Sequence, residues 1–509
     1  MSPSVKRRLC KGHHLLWVTL PFALLLLPWF WLLSPESEID LGLITSLSAQ
    51  ERISEVVQKS LRTALFAGLL SLLLAGALHA LIQPTRFRKI WLIIFTIPML
   101  LSPYTFVQGW IHWLGDQGVF SNTKLTLYSQ KGLIFMLAAH FFPWALLLLQ
   151  LGHRPLARNE KEFCQLASLS SWKKFRLLIW PRIGLPLVVA FLWITLQAFW
   201  SYDIPSMLRQ NLISLEVMAA FGSFYDLNRA LAVLINTWPI AFLPILLIVL
   251  LILHREHLKR FLEFETRPLQ NISWKDGLAA TLSLLLLIIP LSGLLIQMSS
   301  LPRISETFTD AFGDFKNTLL YASLAPLLSL LLITPLLFTQ RRTRTLLSSL
   351  LILGLIIPSS VLGILWLQVA SLTSWPAFLE GRVLMILLLA IFLLPYTALA
   401  ASVFLDSPAK AWKDLSRMTP QAHRLRWQEF LRLKRPQCGF LLIVLSLVCI
   451  REVPLILLHY PPEGGTLALT IETMLHFDQP ALVAGLCLFQ LLATGMLVFI
   501  FSILSYSPK

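Results

Sequence analysis

Charge is scarce in this chain. Only 13% of its 509 residues are Asp, Glu, Lys or Arg, against 56% hydrophobic, and mean hydropathy is +0.72. That balance excludes a water-soluble globular domain. Cysteine is scarce too, and Cys10, Cys164, Cys438, Cys449 and Cys487 all fall in apolar runs or in segments expected to be cytoplasmic. With no paired metal-ligand spacing among them, they imply neither a disulfide framework nor a metal site. The dipeptide Gly-Lys does not occur, so the phosphate-cradling loop that ends in Lys is missing. Apolar residues run on without alternating, which disfavours a β-barrel. No clustered set of catalytic side chains stands out at one depth, and a non-enzymatic protein is expected.

Long apolar stretches fill the space that charge leaves. At about 20 residues per crossing, spans are expected at Leu15 to Leu33, Leu61 to Ile82, Ile90 to Trp110, Leu133 to Leu151, Ile183 to Ser201 and Ala230 to Leu253. A second set is expected at Gly277 to Met298, Leu319 to Phe338, Leu346 to Ala370, Val383 to Phe404, Cys438 to Leu458 and Ala481 to Leu504. The first apolar stretch follows Lys6-Arg7-Arg8 and is too long for a signal-peptide core, with no small-residue cleavage site after it, so it reads as an uncleaved span. With both termini cytoplasmic, Lys and Arg divide as 31 on the cytoplasmic side and 11 on the outer side, and Asp and Glu as 9 and 17. The net charge of +16 is therefore the positive-inside signature of insertion into a lipid membrane. Nucleic acid has no place in the account.

The order of spans suggests a duplication. Ser60-Leu61, Ala64, Ala67 and Leu69 to Leu74 line up with Thr318-Leu319, Ala322, Ala325 and Leu327 to Leu332 at one constant offset. Each match is followed by a short basic loop, Arg86 to Lys89 or Arg341 to Arg344, and then by a proline, Pro98 or Pro358. Six spans per half make the copies parallel, related by an axis along the membrane normal. The expected organisation is a first half at 1–253, a cytoplasmic linker at 254–276 and a second half at 277–509.

Between spans four and five lies a basic loop, about 154–182, in which Phe163, Leu166, Leu169, Trp172 and Phe175 repeat every three residues. That period makes an amphipathic helix whose stripe can rest on lipid headgroups or enter a groove of a partner. The residue order resembles the cytoplasmic loop of ATP-binding-cassette importer permeases, a Glu-Ala-Ala, Gly, Phe, Leu-Pro motif. Glu162 takes the Glu place, Ser168 the Gly place, Phe175 the Phe place and Trp180-Pro181 the Leu-Pro place, while Phe163-Cys164 replaces the double Ala. The corresponding loop between spans ten and eleven, about 405–436, is degenerate, with Asp414 in the Glu place, Pro420 near the Gly place and Trp427 near the Phe place. After span eleven, Arg451-Glu452-Val453-Pro454, Leu457 to Pro462 and Thr466-Leu467-Ala468 are similar to a pattern of ferric-iron permeases.

The resemblance is to fused two-half permeases of the ferric-iron, thiamine and phosphonate branch. It implies an all-α polytopic fold of about 12 spans in two parallel six-helix repeats of the MetI-like type, in a bacterial inner membrane. It also implies two copies of a separate ATPase that binds ATP, a periplasmic substrate-binding protein, and ferric iron as passenger, with thiamine, phosphonate or another small solute as alternatives. The two loop helices would couple the ATPases to spans five and eleven. A secondary transporter of the major-facilitator type shares the two-half layout, but Gln83 to Lys89 lacks the Gly and Asp usual in its loop between spans two and three.

Ionisable residues near the spans need a reason, because charge in a bilayer is costly. His79 and His140 are expected to be neutral, hydrogen-bonded packing residues. Tyr202 and Asp203, with Arg451 and Glu452, lie at the outer ends of spans five and eleven and are candidates for a translocation path. The carboxylates of Asp203 and Glu452 and the phenol of Tyr202 are oxygen donors of the hard type that ferric iron prefers.

Overall fold

The computed structural model describes residues 17–30, 39–116, 118–120, 126–152, 170–174, 176–177, 180–222, 226–253, 274–300, 304–337, 339, 341–372, 381–405, 423–477 and 479–505. In chain order its helices are α1 (Trp17–Phe30), α2 (Leu41–Ser48), α3 (Glu51–Ile82), α4 (Arg88–Leu100), α5 (Pro103–Leu114), α6 (Gln130–Gly152) and α7 (Trp180–Phe199). They continue as α8 (Asp203–Met207), α9 (Ile213–Gly222), α10 (Leu227–Leu253), α11 (Trp274–Ser299), α12 (Ile304–Asp310), α13 (Phe312–Leu337) and α14 (Arg341–Ile352). The remainder are α15 (Ser359–Leu372), α16 (Arg382–Phe404), α17 (His423–Ile450), α18 (Pro454–Leu458), α19 (Leu467–Leu475) and α20 (Pro480–Ser505). No strand occurs among the described residues.

Eight of these helices are long and apolar enough to cross a membrane, or up to ten crossings if each of two bent pairs counts as one. Their surfaces are inverted relative to a soluble protein. On α3 the small residues Ala64, Ala67, Ser71 and Ala75 are fully buried, whereas Phe66, Leu69 and Leu73 are 58%, 50% and 62% exposed. The same holds on α13, where Ala322, Ala325 and Ser329 are inside and Leu324, Leu327 and Leu331 outside. Small residues let helix backbones approach closely, and large apolar ones cost nothing when the solvent is lipid. The chain is an all-α membrane protein.

Two expected spans are broken. The run Ile90 to Trp110 divides into α4 and α5, which meet at 95°, and the run Leu346 to Ala370 divides before α15, again at 95°. Proline explains both. Ser102 precedes Pro103 and Ile357 precedes Pro358, and each is held extended, at ψ 150° and 116°, because a residue before proline is kept out of the helical region. Pro103 then opens α5, where its missing N–H costs nothing, and Pro358 immediately precedes α15. Ser102 Oγ caps α5 by accepting from the Thr105 amide at 3.2 Å. Pro98, paired above with Pro358, instead lies inside α4, which runs on to Leu100. A third expected span, Cys438 to Leu458, ends as a helix at Ile450 and resumes as α18 only at Pro454.

The helices form two compact units built from non-contiguous stretches. One comprises Gln50–Leu215 with Pro239–Leu301; the other comprises Met1–Ala49, Glu216–Trp238 and Pro302–Lys509. In the first, α3, α6 and α7 pack mutually, α4 lies on α6, α8 on α5, and α11 against α5 and α4. In the second, α13, α16 and α17 pack mutually, α14 lies on α16 and α18 on α15, with α20 against α17 and α19. The backbones of α11 and α5 cross closely. A Cβ on Gly109 would stand 2.6 Å from the carbonyl carbon of Pro290, and one on Gly293 would overlap the Gly109 carbonyl oxygen.

Candidate functional site

Of the loop residues singled out by sequence, Glu162, Ser168, Phe175 and Asp414 lie outside the described residues, as does most of the linker 254–276. Trp172 sits in a short helical turn, Ser171–Lys174, and is 68% exposed. Leu177 and Trp180 are also exposed, at 59% and 48%. Pro181 occupies the second position of α7, where proline fits a helix start. Trp427 lies in α17, which runs without interruption from His423 to Ile450. No side-chain geometry is described for it.

The four residues proposed to border a path all fall where a long helix breaks. In one unit α7 ends at Phe199, Tyr202 precedes α8 and Asp203 opens it, both half-buried. The turn is fastened by Ser214 Oγ, which donates to the Ser201 carbonyl at 2.6 Å. In the other unit α17 ends at Ile450, Arg451 is half-buried and Glu452 is 7% exposed just before α18. Glu452 accepts from the Leu455 amide at 3.2 Å and from the Ser359 hydroxyl. Glu452 therefore lies within the stretch expected as span eleven, at a break in it, with its carboxyl group hydrogen-bonded.

The segment after each break is clamped by a polar residue of the long helix that enters the unit. Ser60 Oγ accepts from the Ile213 amide at 2.9 Å, fixing the start of α9. Thr318 Oγ1 accepts from the Leu467 amide at 2.9 Å, fixing the start of α19. Ser60 and Thr318 head the two aligned segments read from the sequence. The residues just before them do related work: Lys59 Nζ donates to Gln210 Oε1 at 3.3 Å, and Asn317 Nδ2 lies 3.1–3.3 Å from the carbonyls of Glu463, Gly464 and Gly465. Further down the same helices, Ser71 Oγ donates to the Ala138 carbonyl at 3.3 Å, while Ser329 Oγ meets Thr397 Oγ1 at 2.7 Å. These clamps were not singled out from sequence, although the constant offset between Ser60 and Thr318 was their trace.

No protein-family model and no curated protein matches this chain.

The two span histidines are packing residues. His140 is 1% exposed with its ring beside Phe106 and Phe141, at 5.6 and 5.1 Å. His79 lies 3.2 Å from Gln83 Nε2, in a network where Gln150 Oε1 receives both Gln83, at 3.0 Å, and Arg88, at 2.6 Å. Gln150 is near the end of α6, so this network ties the α3–α4 turn to the point where the first basic loop departs. Sequence reasoning passed over Glu216 and Glu472, which are each 4% exposed and pair with Arg229 at 3.8 Å and His476 at 3.7 Å. No group of three or more His, Cys, Asp or Glu that could hold a metal ion occurs among the described residues.

Proposed function

We propose that this chain is the membrane-spanning permease subunit of an ATP-binding-cassette importer, with two parallel six-span halves of the MetI-like type fused in one polypeptide. The observation that carries this reading is the recurrence of one broken-helix plan. Two bent pairs turn through the same 95°, two long helices break at Tyr202 to Asp203 and at Arg451 to Glu452, and Ser60 and Thr318 clamp the segments that follow. Discontinuous helices at matching places of two repeats are what a membrane transporter uses to build a passage.

In this reading the protein sits in a bacterial inner membrane with both termini cytoplasmic. A periplasmic binding protein delivers the passenger, ferric iron first among the candidates, and Tyr202, Asp203, Arg451 and Glu452 border its route. Two ATPase subunits, which bind the ATP, dock on the loops that hold Glu162, Ser168, Trp172, Phe175 and Pro181 in one half and Asp414 and Trp427 in the other. The exposure of Trp172, Leu177 and Trp180 supports a docking surface, since burying large apolar side chains is what such a groove contributes. The length of α17 supports a mechanical link from the second loop to the break at Glu452.

The test is association. The tagged chain, co-expressed with ATP-binding-cassette subunits of ferric-importer type from the same organism, should retain them through purification in detergent. Glu162→Lys, or Trp172→Ala with Phe175→Ala, should lose them or release ATP hydrolysis from uptake while membrane insertion is unchanged. Full association and uptake in those variants removes the loop from this role.

A further inference from the structure

The break after α17 is closed by the half-helix α15. Three contacts make the joint. The Glu452 carboxylate accepts from the hydroxyl of Ser359, the first residue of α15, and from the Leu455 amide of α18. His459, just past α18, places Nε2 2.8 Å from the Gly363 carbonyl, one turn into α15. That contact requires the proton on Nε2. Gly363 also allows the two helices to touch, because a Cβ there would stand 2.8 Å from Leu458 Cδ1 and 3.2 Å from Leu455 Cδ1.

The polar part of this joint is expensive to build. A carboxylate at 7% exposure loses its hydration and persists only if hydrogen bonds and nearby positive charge replace it. Burial outweighs the help from Ser359, the Leu455 amide and Arg451, so the joint is held by hydrogen bonds to the carboxyl group and not by a stabilised charge. Proline alone would have ended α17, so the carboxylate needs a separate reason. At the other end, α17 continues as one helix of 28 residues, about 42 Å at 1.5 Å per residue. That helix, with Pro436 inside it, joins the end of the second loop to the break at Glu452.

We propose that Glu452, Ser359 and His459 form a latch that holds the broken end of α17 against α15, and that its release is the step that opens the second half. Glu452 is then a positioning residue that acts through the joint. The latch rests on the contacts above, and its use in transport rests on the importer reading.

The protein carries its own reporters. Cys449, 3% exposed, lies three residues before Glu452, and Cys487, fully buried in α20, lies in the same unit. The full chain with either thiol alone, the other four cysteines being changed to Ser, is placed in lipid nanodiscs and labelled with a maleimide. Ser359→Ala and Glu452→Ala should each raise the Cys449 labelling rate about 2- to 12-fold, the effect of losing one hydrogen bond. Ser359→Thr, which restores the hydroxyl, should return it close to the wild-type rate. Cys487 labelling should not change. Unchanged Cys449 labelling in both alanine variants, or Cys487 rising in step with Cys449, overturns the latch. With ATPase subunits present, ATP should raise Cys449 labelling in the otherwise wild-type chain. If the variants behave as stated but ATP has no effect, the latch stands and the importer reading falls.

Discussion

Gly109→Ala and Gly293→Ala test the packing that joins α11 to α5. At Gly109 the added carbon would meet the Pro290 backbone, with the carbonyl carbon and Cα both at 2.6 Å. At Gly293 it would overlap the Gly109 carbonyl oxygen and approach Trp113 Nε1 to 3.1 Å. Neither obstacle is the end of a flexible side chain, so the helices themselves must separate. Two hydrogen bonds flank the crossing and would stretch with it: Trp113 Nε1 to the Ile289 carbonyl at 2.9 Å, and Gln108 Nε2 to Gln297 Oε1 at 2.8 Å. Overpacking costs about 1–3 kcal/mol and each strained hydrogen bond about 0.5–1.5 kcal/mol, which together give about 2–6 kcal/mol. Gly76→Ala is the control, since nothing lies within 4 Å of its added Cβ on α3. It should be neutral or gain up to about 1 kcal/mol of helix propensity. Thermal unfolding of detergent-solubilised protein, followed by size-exclusion chromatography after heating, would rank the variants. If Gly109→Ala and Gly293→Ala melt with Gly76→Ala, the close crossing is not formed.

Two further perturbations address the clamps. Ser60→Ala and Thr318→Ala each leave a buried amide, Ile213 N or Leu467 N, without its acceptor. Each should cost about 1–3 kcal/mol, read as faster amide exchange at the start of α9 or α19, and equal exchange in variant and wild type would refute the clamp. Asn317→Leu removes the donor that gathers the carbonyls of 463–465, so limited proteolysis should cut that loop several-fold faster. An unaltered cleavage rate would show that the loop is held elsewhere.

Much of the helical layout was legible because a span must be both long and apolar. The aligned segments were legible as well: Ala64, Ala67, Ala322 and Ala325 are 0–1% exposed, as small residues at helix contacts should be. The breaks were harder to read. Ser102-Pro103 carries the signals of a helix start, a serine cap and a proline in the first turn, and Pro358 stands just before Ser359, the first residue of α15, yet hydropathy runs straight through both. The break at Glu452 was hidden in the same way, because Val453 to Leu458 remain apolar after the helix has ended. Partner choice was illegible for a different reason. A helix such as α11, apolar on every side, has no polar face to show which surface it will cover, and only Gly293 and Pro290 mark where α5 crosses it. The candidate path was read as four residues at helix ends, whereas the hydrogen bonds that hold the segments after them come from residues about 150 positions away, as with Ser60 and Ile213.

As the importer subunit proposed above, this protein would move its passenger only when another subunit supplies the force. Purified alone into liposomes, with a proton or sodium gradient imposed and no nucleotide present, it should accumulate no ferric iron or other solute. Uptake should appear when the ATPase, the binding protein and ATP are added together. Robust accumulation driven by the gradient alone would contradict the account and identify a secondary transporter instead.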